Sequence, residues 1–385
     1  MSKYFSLFLL FTLVANLAFS QKHIIKPVDS TDITFTGTKI NPYSMEYDTT
    51  GKLQINGYLD TYYAYYSDSS NINGYAKFPT IAPRKNQISM NILQLSVKYN
   101  SNLFHGTITI FGGDCPKSSW SEHLNFIQEA NIGFKIVKKL WLDAGFFRTH
   151  IGLESIQPRE NMTMSLATTT YFEPYFLSGI KLTWQQSEKL AIQLNAFNSF
   201  NQFLETNKNK AVGFSVAYAP NKKISSSLSS IICDETSLNV VTKHLRLYNN
   251  LCVVYKDTKL IIGLEGNFGL QKNSVLVNFT KTAFVYSSLI SMKYRFTPKW
   301  SSYVRGEFFN DKNEVLTGPV ISDNHNIVGV QIYGITHGYE FKPIPNSYFR
   351  VECRYLNNYH DNIFYIKSNP SYSRFEFIAG LGLWF

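Results

Sequence analysis

Apolar and polar side chains trade places at every second residue along much of the chain. In LQINGYLDTYYAYY, Leu53, Ile55, Leu59 and Tyr63 share one face while Gln54, Asn56 and Asp60 share the other. FIQEANIGFKI sets Gln128, Ala130, Ile132, Phe134 and Ile136 against Glu129, Asn131, Gly133 and Lys135. GIKLTW, KLAIQLNAF, AVGFSVAY and YFRVECRYL follow the same rule. Successive side chains of a strand leave opposite faces, so period two predicts strands. ISMNILQLSVKY changes face around Ile92–Leu93, which predicts a β-bulge there.

The connections carry more information than the strands. Short turns fall near residues 100–102, 137–139, 185–189, 219–223, 256–259 and 297–299, with a Pro-containing turn at 339–347. Long loops fall near 67–87, 112–124, 150–178, 200–210, 233–243, 271–281, 310–325 and 357–372. Antiparallel neighbours connect at alternate ends, so this strict alternation collects every short turn at one rim and every long loop at the other. A transmembrane barrel has that asymmetry, and a Greek-key sandwich gives no reason for it. The fold expected is therefore all-β: an antiparallel up-and-down β-barrel over 51–385, with short periplasmic turns and long extracellular loops. It has about sixteen strands, with about 14 to 18 compatible.

The last residues, SRFEFIAGLGLWF, agree. Phe375, Phe377, Ala379, Leu381 and Leu383 would face lipid, while Arg374, Glu376, Gly380 and Gly382 face inward. Hydrocarbon offers no partner to a bare strand edge, so the last strand must close on the first.

Composition fits this picture. Charged residues make up 17% of the 385, below the roughly one quarter usual for soluble domains, and aromatics reach 16%. MSKYFSLFLLFTLVANLAFSQK reads as a secretory leader cut before Gln21, so residues 1–20 are expected to be removed. Residues 21–50 are polar and read as a periplasmic lead-in or small plug. No later apolar run is long enough for a membrane helix. The formal charge of +10 is spread without a dense basic cluster, so a nucleic-acid partner is not expected. Cys115, Cys233, Cys252 and Cys353 show no CxxC spacing and give no metal site; four reduced thiols or a Cys115–Cys233 bridge are the alternatives.

One stretch goes beyond pattern: LDAGFFRTHIGLESIQPRENMTMSLATTTYFEPYFLSGIKLTW, residues 142–184. Its Gly152–Leu153–Glu154, Asn161, Ser165, Glu173–Pro174–Tyr175 and Gly179 resemble the OmpL-like β-barrel porin family. NGYLDTYYAYY and LGLWF are similar to that family's two ends. The resemblance implies an outer-membrane porin of a Gram-negative bacterium, without cofactor or catalytic residues. It also implies that the strand ending at Phe385 is read by the outer-membrane assembly machinery.

Inward parity gives a charge map. Lys135, Lys181, Arg246, Glu265, Arg305, Glu307, Arg350, Glu352, Arg354 and Glu376 are the expected pore-lining residues, with Lys98, Glu129 and Arg374 beside them. As a wet wall with cations in slight excess they would pass small hydrophilic solutes and favour anions. As cross-strand ladders they would pair with one another. The longest loop, 150–178, brings Arg148, His150, Glu154, Arg159 and Glu160 as constriction candidates, a solvated surface loop being the alternative. A closed barrel serving as receptor, adhesin or anchor stays open, as does a homo-oligomer. A hydrolase built on His150 near Ser155, or on His105 or His123, is the weaker alternative, because no GxSxG or HExxH motif is present.

Overall fold

The computed structural model describes residues 50–385 other than Ser70, Asn73, 77–79, 122–123, 202–208, 237–240 and Asn324. The expected leader, the lead-in up to residue 49, and His123 lie outside the described residues. The alternating segments pair into sixteen strands that close on themselves. These are β1 (Thr50–Tyr66), β2 (Ile88–Ser101), β3 (Phe104–Gly112), β4 (Ile127–Val137), β5 (Leu140–Arg148) and β6 (Phe176–Gln185). There follow β7 (Leu190–Phe197), β8 (Ala211–Asn221), β9 (Ile224–Asp234), β10 (Leu245–Lys256) and β11 (Leu260–Gln271). The last are β12 (Ala283–Arg295), β13 (Trp300–Asp311), β14 (Val330–Phe341), β15 (Ser347–Asn358) and β16 (Ser373–Trp384). Each strand pairs antiparallel with its sequence neighbours, and β1 pairs with β16 from Tyr58↔Trp384 to Tyr66↔Glu376. The closing pair ends on reciprocal 3.1 Å hydrogen bonds between the backbones of Gly57 and Phe385. Short turns and long loops alternate around the rims as the sequence predicts.

The outer wall is apolar and its aromatic residues gather at two heights. Tyr63, Tyr65, Phe268, Phe284, Tyr286, Tyr333, Tyr355 and Phe375 are exposed toward the long-loop rim. Trp184, Tyr218, Tyr294, Phe296, Trp300, Tyr339, Phe349 and Phe385 are exposed toward the short-turn rim. Between them lie aliphatic residues such as Leu251, Leu264, Ile290 and Ile335. Two aromatic girdles around an aliphatic band match the two interfaces of a bilayer.

Two local readings are corrected. The bulge on β2 sits at Asn91, one residue before the expected place, because Asp60 pairs with Ile92 and Thr61 with Met90. Asn91 turns inward and donates from Nδ2 to Asp60 at 2.6 Å. A second irregularity, between Thr109 and Ile110 of β3, skips Gln128 on β4. Gln128 is therefore buried inside rather than sharing the outer face of Ile132 and Phe134.

The interior is not uniformly polar. Toward the long-loop rim, Phe197, Ile231, Tyr248, Val285, Phe309, Ile332 and Leu356 point inward and pack beneath Phe200, Val315, Val320 and Phe364 of the loops. The expected mixed-charge wall occupies mainly the middle layer, reaching Arg350 and Glu340 toward the short-turn rim and Arg374 toward the long-loop rim. All four cysteines are free: Cys115, in the short helix α1 (Asp114–Ser119), and Cys233 are buried and unbridged.

Gly179 marks a tight joint in the wall. A Cβ there would lie 2.2 Å from the Ala196 carbonyl oxygen of the adjoining β7, whereas a Cβ on Gly266 would meet nothing within 4 Å. Gly179→Ala is expected to destabilise the barrel by about 1–3 kcal/mol, and Gly266→Ala to change it by less than about 0.5 kcal/mol. The temperature at which the folded barrel loses its resistance to SDS separates the two variants.

Candidate functional site: the barrel interior and the inserted loop

Strands β13–β16 turn a row of charge inward because period two places it there. Register does the rest. Arg350 lies opposite Glu340, and Arg354 lies between Thr336 and Glu376. Arg350 Nε donates to Glu340 at 2.7 Å, and Lys293 from β12 reaches the same carboxylate at 2.7 Å. Arg354 forks onto Glu307, with Nε donating at 2.9 Å and Nη2 at 3.0 Å, and reaches Glu376 at 3.4 Å. Arg374 donates to Glu376 and Arg305 to Glu307. The ladder alternative describes these contacts well. Lys293 and Glu340 belong to the ladder although sequence reading passed over them; their inward parity on SMKYR and HGYEF was the available signal.

Wall side chains alone do not satisfy this cluster. The segment from Thr149 to Tyr175, between β5 and β6, enters the barrel and supplies the missing partners. Arg305 Nη1 donates to Glu154 Oε1 at 2.9 Å, to Thr163 Oγ1 at 2.9 Å and to the Ser165 carbonyl at 2.7 Å. Arg350 donates to the carbonyls of Pro158, Asn161 and Thr163 at 2.7–3.0 Å. In return the loop's N–H groups meet wall carboxylates. Met164 and Ser165 donate to Glu352 at 2.7 and 3.1 Å, Thr168 to Glu307 at 2.6 Å, and Leu153 to Glu265 at 2.9 Å. Charge-assisted bonds of this kind are the strong ones, and buried charge requires them.

Four of the residues that carried the family resemblance, Glu154, Asn161, Ser165 and Glu173, now have a mechanical task. Glu154 holds Arg305 and also accepts the Ala167 N–H at 2.7 Å. Asn161 staples the loop to itself, accepting from Ser155 N at 2.7 Å and donating to Ser155 O at 2.6 Å. Ser165 offers Arg305 both its carbonyl and its hydroxyl. Glu173, just past the short helix α2 (Thr168–Phe172), accepts the Tyr248 hydroxyl at 2.7 Å.

The remaining candidates separate in space. Arg148 Nη1 meets Glu160 at 2.6 Å and its Nε lies 3.4 Å from Glu129. Arg159 donates to Gln157 at 2.7 Å and lies 4.6 Å above the Tyr58 ring, close to the short-turn end. Lys181 lies 3.9 Å from Asp143 and 4.8 Å above the Phe147 ring. Lys135 donates to Asn102 at 2.8 Å. Arg246 is removed from the ladder and donates to the Val315 carbonyl at 2.6 Å beneath the loops. His150 lies 3.2 Å from the Ser230 carbonyl and 3.3 Å from Asn195, so its partners are on β7 and β9 rather than Ser155. His105, named in the weaker hydrolase alternative, pairs with Asp143 at 2.5 Å, its ring tilted 4.6 Å from that of Trp141; sequence reading passed over Asp143 and Trp141.

Residues 52–385 match the family model described as "Putative beta-barrel porin-2, OmpL-like", and the chain belongs to that family. Among curated proteins none matches the sequence. Solved structures share the fold at low identity. The anion-selective porin of Comamonas acidovorans aligns at 10% identity and a TM-score of 0.56, covering 87% of this chain and 100% of its own. OmpF of Salmonella typhi in complex with daunomycin aligns at 12% and 0.57, covering 88% and 99%. The outer membrane channel DcaP of Acinetobacter baumannii aligns at 9% and 0.57, covering 86% and 97%. The barrel is thus of the Gram-negative outer-membrane type, and its lipid face is the aromatic-girdled wall.

Two outcomes follow for the inserted loop. Arg350→Met removes the donor to three loop carbonyls while Lys293 still neutralises Glu340. A loss of about 1–3 kcal/mol is expected from buried carbonyls left without their donor, read by denaturant unfolding in detergent, with faster hydrogen exchange at residues 158–163. Glu160 is held down to about 2, by Arg148 first and Arg159 second against the opposing effect of burial. A lowered carboxyl stabilises the fold above its ordinary value near 4.5 and loses that contribution as pH falls through the folded value. Exchange protection of residues 155–165, corrected for intrinsic rate, is therefore expected to hold from neutrality to about pH 5. It then drops toward pH 2, and Glu160→Gln should remove that part of the drop.

Proposed function

We propose that the protein is an outer-membrane channel for passive diffusion of small hydrophilic solutes, with a mild preference for anions. The observation that carries this reading is a closed barrel whose outside is grease and whose middle layer is charged, with a loop drawn inside to narrow it. Membership of a porin family and likeness to porins and a channel support it. In this reading Arg148, His150, Glu154, Arg159 and Glu160 belong to the constricting loop or its base. Transport needs no cofactor and no energy source, because a polar, fixed-charge lumen lowers the barrier for hydrated ions by replacing part of their water.

Two observations weigh on the alternatives. The dense fastening of the loop favours a closed barrel used as receptor or anchor, were no current to flow. His150 is committed to Ser230 and Asn195, which argues against its use as a base for Ser155.

Single-channel recording in a planar bilayer decides between open and closed. A steady open current is expected, with a reversal potential in a salt gradient displaced toward the anion equilibrium value. A barrel that folds and inserts yet carries no current would leave the anchor reading standing instead.

A further inference from the structure

The charged side chains of the interior fall into two classes by their access to water. On the ladder, the side chains of Arg305, Arg354, Arg374 and Glu376 are 0% exposed, and Glu307, Glu340 and Arg350 are at most 3% exposed. On β4–β6 the cations and one carboxylate are more open, Arg148 37%, Lys181 22% and Glu129 13%, as is Glu160 on the loop edge facing them at 25%, while Asp143 between them is 2% exposed. Lys98 on β2 and Asn131 on β4 are likewise half-buried and inward.

The cause is the position of the loop. Its backbone is bonded to β13 through Arg305 and Glu307, to β15 through Arg350 and Glu352, and to β10 and β11 through Asn250 and Glu265, so it fills that side of the lumen. Toward β4 and β5 it makes thinner contacts, the Gln157–Gln128 bond at 3.1 Å and the Arg148–Glu160 pair.

We infer that the solute path runs along the β4–β6 wall, and that Arg148 and Lys181, rather than the arginines of β13–β16, are its selectivity-setting side chains. This rests on the channel reading above. Arg148 is largely offset by Glu129 and Glu160, whereas Lys181 has Asp143 only at 3.9 Å. Lys181 therefore gives the path its net positive character, and its ammonium, held over the Phe147 ring, offers an anion a fixed charge without a strong competitor. The class of solute favoured is a small hydrated anion.

The test is water access at single cysteines. Lys181→Cys and Arg148→Cys probe the proposed path. Thr336→Cys probes the ladder, where Thr336 is 0% exposed and the substitution is small. Each variant is treated with the anionic reagent 2-sulfonatoethyl methanethiosulfonate during bilayer recording, and the adduct is read by mass spectrometry with the unmutated protein as control. Expected are complete modification of Lys181→Cys and Arg148→Cys, and a fall in current of about twofold or more, with Thr336→Cys unmodified. The unmodified Lys181→Cys channel should also lose most of its anion preference. Modification of Thr336→Cys with loss of current, or an unmodified Lys181→Cys, would overturn the assignment. If no variant conducts but the labelling pattern is as expected, the channel reading fails while the water path along β4–β6 stands.

Discussion

A peptide group in hydrocarbon has no solvent to bond with, and this constraint organises the whole molecule. It forbids a free strand edge, so β16 must end against β1, and the last residue is held by reciprocal bonds to Gly57. It also fixes parity. Once the ring is closed, each residue faces either lipid or lumen, and a skipped residue such as Asn91 or Gln128 must find an inward partner. The aromatic ends of the strands follow, since amphipathic rings settle where hydrocarbon gives way to water.

A second consequence concerns the lumen. A ring of sixteen strands encloses more space than its inward side chains fill, and this wall carries charges that need several partners each. Arginine has five donors in a fixed fork, more than one facing glutamate can accept. Arg305 finds a further acceptor in the Ser165 carbonyl of the inserted loop, and Arg350 finds three, in the carbonyls of Pro158, Asn161 and Thr163. Glutamates 307 and 352 find theirs in its amides. The loop is therefore held by its main chain more than by its side chains. This explains why the stretch 154–165 is recognisable mainly at Glu154, Asn161 and Ser165, whose side chains do take part.

The same contrast sets what could be read from the sequence. Strand type, strand count, closure and the two rims were legible, because period two and alternating loop length are local signals that survive in one chain. The inward placement of Arg350, Glu352 and Arg354 was legible for the same reason. The skipped residue at Gln128 was not, because a bulge depends on the register of the partner strand, here between Thr109 and Ile110. Nor was the apolar layer under the loops, since an inward Phe309 or Ile332 looks like any other alternating residue. Least legible was the fate of the charges. Whether Arg350 meets water depends on a loop whose accepting carbonyls lie 187, 189 and 192 positions away in sequence, backbone atoms that every residue possesses.

Sealing has an electrostatic meaning. The ladder gathers Lys293, Arg305, Arg350, Arg354 and Arg374 in ion pairs with Glu154, Glu307, Glu340 and Glu376. Opposite charges this close cancel at a distance, leaving a field that fades within about the spacing of the pairs, while salt in a wet lumen screens the remainder over roughly 8–10 Å. A solute passing the far wall would then sense the few groups that water reaches, not the many that it does not. A large charge inventory can thus coexist with a weak selectivity, and the arginines that dominate the inward sequence pattern serve to fix the loop whose edge defines the path.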